Sequence, residues 1–143
     1  MKKLIIALPL LVSIFTMHVV LAGPVVVIVN SANAQNISLA DVKNIYQDKT
    51  ITWASGEKIA VYNLQADDAA AEQFARKTLG MSAREAAAAE SNRVVSNTAR
   101  NPQQTKRDAL VSSIVARTPN AIGYIPKEQA EGKSGIRVLF TLE

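Results

Sequence analysis

With 143 residues, 48% of them hydrophobic, the chain is sized for one domain with a core of its own. It has no Cys and a single His, which excludes disulfides and Cys–His nucleophilic pairs and leaves almost nothing for a common zinc site. The formal charge is +4, but Lys2 and Lys3 supply half of it, and the +2 that remains is too small to argue for nucleic acid or an anionic membrane as partner.

Met1-Lys-Lys is a basic start, and Leu4–Ala22 is nearly continuous apolar sequence, broken by Pro9, Ser13, Thr16 and His18. Val20-Leu21-Ala22 carries small or modest residues where a signal peptidase reads, and Gly23-Pro24 opens a different composition. The expectation is a secretory signal over 1–22, cleaved, with a domain at 23–143 in the periplasm and no membrane contact after cleavage. The alternative is an uncleaved anchor, because the apolar run approaches the length that spans a bilayer. No Cys follows the run, so a lipid-attached form is excluded. Cleavage would remove His18, leaving neither His nor Cys. An exported chain without Cys suits a bacterial periplasm better than a small secreted eukaryotic domain.

Val25–Val29 is a β-branched run without polar alternation and predicts a strand buried on both faces. Ser38 with Asp41 three residues on is a helix start, and Leu39, Val42, Ile45 and Tyr46 recur at helical spacing, predicting a helix over 39–47. Ser55-Gly56 marks a turn, and Lys58–Asn63 alternates as a second strand. Asp67-Asp68 open an Ala-rich helix with Ala70, Ala71, Phe74, Ala75 and Leu79 on one face and Gly80 as its end. Ser82-Ala-Arg-Glu85 is a second capping box, starting a helix that runs to about Val95. After a loop over 96–104, residues 103–117 read as an amphipathic helix with Ala109, Leu110, Ile114 and Val115 inward. Ala121–Ile125 is a buried strand ended by Pro126, a short helix or turn covers 127–134, and 136–142 is the last strand. The class is α/β in one domain, a mixed or mainly parallel sheet with helices on both faces.

Few residues offer chemistry. Asp67 and Asp68 are the one adjacent acidic pair, but neighbours on a helix point about 100° apart and form no facing dyad. Their preferred reading is capping and complementing the helix dipole. No catalytic residue, metal site or cofactor is implied. Trp53 is either a stacking platform or a side chain packed over the sheet edge with its N–H on a backbone carbonyl, and the second role is favoured. Gly123 inside a strand marks close approach of another backbone or of a ligand, and the first is favoured. Arg93, Arg100, Lys106 and Arg107 form a basic group that is either a solvated face or an anion surface.

Ile45–Leu64, with its Tyr-Gln-Asp-Lys segment, Trp53 and Gly56 turn, together with Thr118-Pro-Asn-Ala-Ile-Gly-Tyr-Ile125, resembles the phosphate-binding proteins of bacterial ABC transporters. The resemblance covers roughly 25–138 and implies one lobe of a periplasmic-binding-protein-like fold. In that family a loop rich in Arg, Ser, Gly and Thr holds the anion at a helix N-terminus. Here the corresponding segment is Leu64–Ala70. The resemblance places Leu64 where the Arg stands, and Asp68, Ala69 and Ala70 where Ser, Gly and Thr stand. Gln65, Asp67, Asp68, Ala69 and Ala70 are thus the candidate ligand-binding residues, with Arg93, Arg100 and Arg107 as an alternative anion surface. Each replacement disfavours phosphate: a bidentate partner is lost, a negative charge is added and a hydroxyl is deleted. Two readings follow. The chain binds phosphate or another oxyanion for a transporter permease, or it is a ligand-free interaction module with another envelope protein.

Overall fold

A computed structural model of the protein describes residues 23–143; the expected signal at 1–22 lies outside the described residues. Five strands form one mixed sheet in the order β3-β2-β4-β1-β5. They are β1 (Val25–Asn30), β2 (Ala60–Leu64), β3 (Gln104–Lys106), β4 (Ala121–Pro126) and β5 (Ile136–Leu142). β2 is parallel to both β3 and β4, whereas β1 is antiparallel to β4 and β5. Every residue of β1 is buried, as its unbroken β-branched run predicts.

The helices are α1 (Leu39–Tyr46), α2 (Ala69–Phe74), α3 (Ala83–Val95), α4 (Asp108–Arg117) and α5 (Lys127–Ala130). They cover both faces, and β4 shows how. Gly123 faces α4 so closely that a Cβ there would lie 2.8 Å from Val111 Cγ1 and 3.4 Å from Val115 Cγ2. Only Gly admits that approach. The next residue, Tyr124, points to the other face, where its ring stacks on Phe74 of α2 at 3.9 Å and tilts against Tyr46 of α1 at 5.9 Å. Buried Asn30 joins the layers at the end of β1. Its Nδ2 donates to the carbonyls of Val115 and Ala116 in the last turn of α4, of which Val115 also accepts from Thr118 N–H at 3.3 Å.

The predicted helix starts at Ser38 and Ser82 are both reciprocal capping boxes, and Gly80 ends its helix at φ 72°. Trp53 is buried and donates its Nε1–H to the carbonyl of Asn120 at 2.9 Å, the structural role favoured from sequence.

Three expectations need correction. Residues 104–106 are a strand, not the first turn of a helix. This short polar strand carries no apolar alternation, and only its pairing with Tyr62–Leu64 defines it. α4 therefore starts at Asp108, and its buried residues are Val111, Ser112 and Val115, while Leu110 is 50% exposed. The second strand begins at Ala60, with Lys58 in an isolated bridge to Thr52. Finally, the Ala-rich helix does not continue evenly to Gly80. It widens into a π-helical turn over Ala75–Leu79, a form that sequence periodicity does not announce.

Candidate anion groove at the strand ends

The parallel strands β2 and β3 end side by side, and each runs into a helix. After Leu64 the chain turns through Gln65, whose carbonyl accepts from Asp68 N–H at 3.0 Å. Asp68 is the N-cap of α2, and its carboxylate accepts from Ala70 N–H at 2.8 Å. After Lys106, Arg107 stands at the N-cap of α4 with no side-chain cap bond. Asp108 supplies the carboxylate there instead. One oxygen accepts from Ala109 N–H at 2.7 Å, and the other accepts from Gln129 Nε2 at 2.8 Å.

Between the two junctions lies an open groove of about 310 Å³, lined by Gln65, Asp68, Lys106, Arg107 and Asp108. Two cations thus face two carboxylates. Neither Lys106 nor Arg107 is in an ion pair among the described residues. The positive ends of both helices are answered by carboxylates of the chain itself, which is the arrangement that competes with an external anion.

The structure distributes the sequence-derived residues as follows. Gln65, Asp68 and Arg107 meet in the groove, joined by Lys106. Asp67 and Ala69 are exposed beside it, and Ala70 is buried with its N–H on Asp68. Arg100 is directed elsewhere: its guanidinium donates to the carbonyls of Asp48 and Lys49 at 3.3 and 2.9 Å, while the Asp48 carboxylate accepts from Arg100 N–H and Asn101 N–H. Arg93 pairs with Glu90 at 2.6 Å and lines a different cavity. Leu64 is buried, so an Arg at that position would place its stem in the core.

Behind the groove runs a polar relay that the sequence does not signal. Tyr124 donates its hydroxyl to Asn63 Oδ1 and accepts from Leu64 N–H at 3.3 Å. Asn63 Nδ2 donates to Gln103 Oε1 at 2.7 Å, and Gln103 Nε2 donates to the carbonyl of Tyr46 at 2.8 Å. Burial pushes the phenols of Tyr46 and Tyr124 well above their usual 10.0, and at Tyr124 the hydrogen bond from Leu64 N–H offsets part of the rise. Both stay protonated at any physiological pH. The relay fixes the end of β2 to β3 and to α1, and so holds Gln65 at the groove.

Neither a protein-family model nor a curated protein matches this chain. Solved structures do. An ABC-type phosphate transport receptor from Vibrio cholerae superposes with a TM-score of 0.61 at 16% identity, over 80% of this chain and 44% of its own length. A candidate phosphate ABC transporter substrate-binding protein with bound phosphate, from Clostridium perfringens, gives 0.60 at 20% identity, over 80% and 43%. A candidate phosphate-binding protein from Planctomyces limnophilus gives 0.58 at 16%, over 82% and 42%. The chain has the fold of one lobe of such a protein. It spans less than half the length of each structure it matches. Among the described residues, no helix is long and apolar enough to cross a membrane.

Proposed function

We propose that the chain is a periplasmic, non-enzymatic solute-binding lobe of the phosphate ABC-transporter type, working with a membrane permease or another envelope protein, and that its strand-end groove takes a small oxyanion only weakly. The fold supports the first part. The observation that carries the second is the Asp68 carboxylate on Ala70 N–H at 2.8 Å. An oxyanion entering the groove must displace or sit beside that charge and the charge of Asp108, with Lys106 and Arg107 as its attractive partners. One lobe also leaves a small anion partly in water, where hydration competes with every contact.

Isothermal titration with phosphate, sulfate and small carboxylates tests this reading. The expected dissociation constant for phosphate is no tighter than about 1 mM, near −4 kcal/mol. Micromolar phosphate binding by the unmodified protein would refute the weak-groove reading. Asp68→Ser keeps a cap on α2 and removes the competing charge, so phosphate affinity should rise. A second reading, a ligand-free interaction module, is favoured by the same internal capping at both helix starts. It predicts no measurable phosphate binding even in Asp68→Ser.

A further inference from the structure

We propose that the cavity between α1, the π-helical turn and α3 binds a small amphipathic monocarboxylate, at a site separate from the strand-end groove. The cavity measures about 310 Å³, at the small end of ligand pockets. Leu79, Met81 and Ala89 give it an apolar side, and Lys49, Arg93 and Gln103 a polar one. No carboxylate side chain lines it, in contrast to the groove, where Asp68 and Asp108 do.

Arg93 is the residue that would meet a carboxylate at the cavity. Its side chain is 26% exposed and one terminal nitrogen donates to Glu90 at 2.6 Å. Its Nε is buried, and no protein group accepts from it. Ligand contact therefore falls to its terminal nitrogens, and a guanidinium presents those donors as a fork suited to a carboxylate. Glu90 balances the charge of Arg93 but occupies only one terminal nitrogen, and its other oxygen accepts from Gln103 N–H at 2.8 Å. It acts as a backstop that fixes Arg93 while the remaining donors stay available. Lys49 is exposed, forms no ion pair among the described residues, and adds a second positive charge at the cavity.

The apolar side decides the ligand class. A phosphate bound at the polar side would turn its outer oxygens toward Leu79 and Met81, which have no donors for them. A short aliphatic chain or a single ring would instead cover those side chains while its carboxylate meets Arg93. The volume limits the tail to a few carbons or one ring.

The test is a methyl and amide NMR titration of the purified protein with hexanoate and benzoate, and separately with inorganic phosphate. Saturable shifts centred on Leu79, Met81 and Ala89 are expected, with hexanoate binding in roughly the 0.1–10 mM range. Arg93→Leu should weaken hexanoate at least about tenfold, as loss of a charge-assisted bond implies. Ala89→Phe, which fills the cavity from its apolar side, should abolish binding and keeps the question decidable if Arg93→Leu unfolds. Absence of saturable shifts up to roughly 50 mM hexanoate would overturn the proposal. Shifts centred on Gln65–Ala70, binding unchanged in both folded variants, or phosphate competing as well as hexanoate would each overturn it too. Phosphate affinity in the groove is read separately through Asp68→Ser, so the failure of one site leaves the other measurable.

Discussion

The middle of the sheet and its β2–β3 end are built on opposite terms. In the middle, β1 and β4 are buried between two helical layers, and side chains alternate between α4 on one face and the Tyr46–Phe74–Tyr124 cluster on the other. At the β2–β3 end, a three-residue strand meets loops lined by Gln, Asp, Lys and Arg. Apolar packing is concentrated in the first region, and charged and polar side chains collect in the second. The division follows from parallel pairing. Strands that run the same way deliver the starts of their following helices to the same edge, and with them the unpaired N–H groups that attract charge.

The sharpest way to break this comparison is to truncate the centre. Phe74 is 2% exposed and stacked on Tyr124. Phe74→Ala should cost about 3–5 kcal/mol, as large aromatic truncations do. Trp53→Ala belongs to the same class, and both are read from denaturant midpoints. By contrast Val138→Thr on the outer strand, where Val138 is 44% exposed, should stay within about 0.5 kcal/mol. A Phe74→Ala protein that unfolds at the wild-type midpoint would remove the distinction.

Gly123→Ala probes the other face of the same strand. The new methyl would meet Val111 Cγ1 at 2.8 Å. Val111 is fully buried on α4 and stiff at χ1, so it yields little. The expected cost is about 1–3 kcal/mol from overpacking. Val111→Ala in the same chain should recover part of it, a coupling that a double-mutant cycle measures. Additive costs would mean that α4 does not press on β4 at this point.

At the strand-end groove the effects are smaller in stability and larger in binding. Asp68→Ala removes the cap on Ala70 N–H and should cost about 0.5–2 kcal/mol. The same change deletes a negative charge from the groove, so phosphate affinity should move the opposite way from stability. Parallel loss of both would show that Asp68 holds the groove's shape rather than excluding anions.

The contrast between regions also explains what the sequence made legible. The centre announces itself, because a strand buried on both faces must be apolar throughout, as Val25–Val29 is, and a Gly within Ala121–Ile125 signals close packing. Helix starts at Ser38 and Ser82 were readable because the capping box is a local hydrogen-bond pattern with a fixed spacing. β3 was not, since Gln104–Lys106 is a strand only through its partner Tyr62–Leu64, which lies 42 residues earlier in the chain. Misreading it shifted the phase of α4 and turned Leu110 inward. At the groove, the Asp68 cap was visible as a residue type before a helix. Its meeting with Lys106, Arg107 and Asp108 depends on that unseen strand pairing. The Tyr124–Asn63–Gln103 relay, and the separate destinations of Arg93 and Arg100, depend on tertiary packing alone.

The smallest expected effects come from pH, and they divide along the same line. The centre sets the alkaline limit. Tyr46 and Tyr124 have folded pKa values raised above the ordinary 10.0, chiefly by burial. The stability they contribute is complete below that value and is lost as pH rises past it, when the unfolded phenols ionise and the folded ones do not. Both should remain protonated in an ultraviolet absorbance titration until the chain unfolds. The periphery sets the acid limit. Glu72, Glu85 and Asp41 are lowered first by the backbone N–H groups of Ala83, Ser82 and Ser38, from ordinary values of 4.5, 4.5 and 3.8. Their contribution is present above those values and is lost as pH falls through the lower folded ones, because the unfolded chain takes up protons first. All three lie at the surface, so each effect is small and screened by salt. A series of denaturant midpoints from roughly pH 5 to pH 2 should slope downward. Replacing the three by Asp41→Asn, Glu72→Gln and Glu85→Gln should flatten that slope while leaving the alkaline limb in place. An acid slope unchanged by the triple substitution would mean that these three helix-start carboxylates do not govern the acid side of the fold.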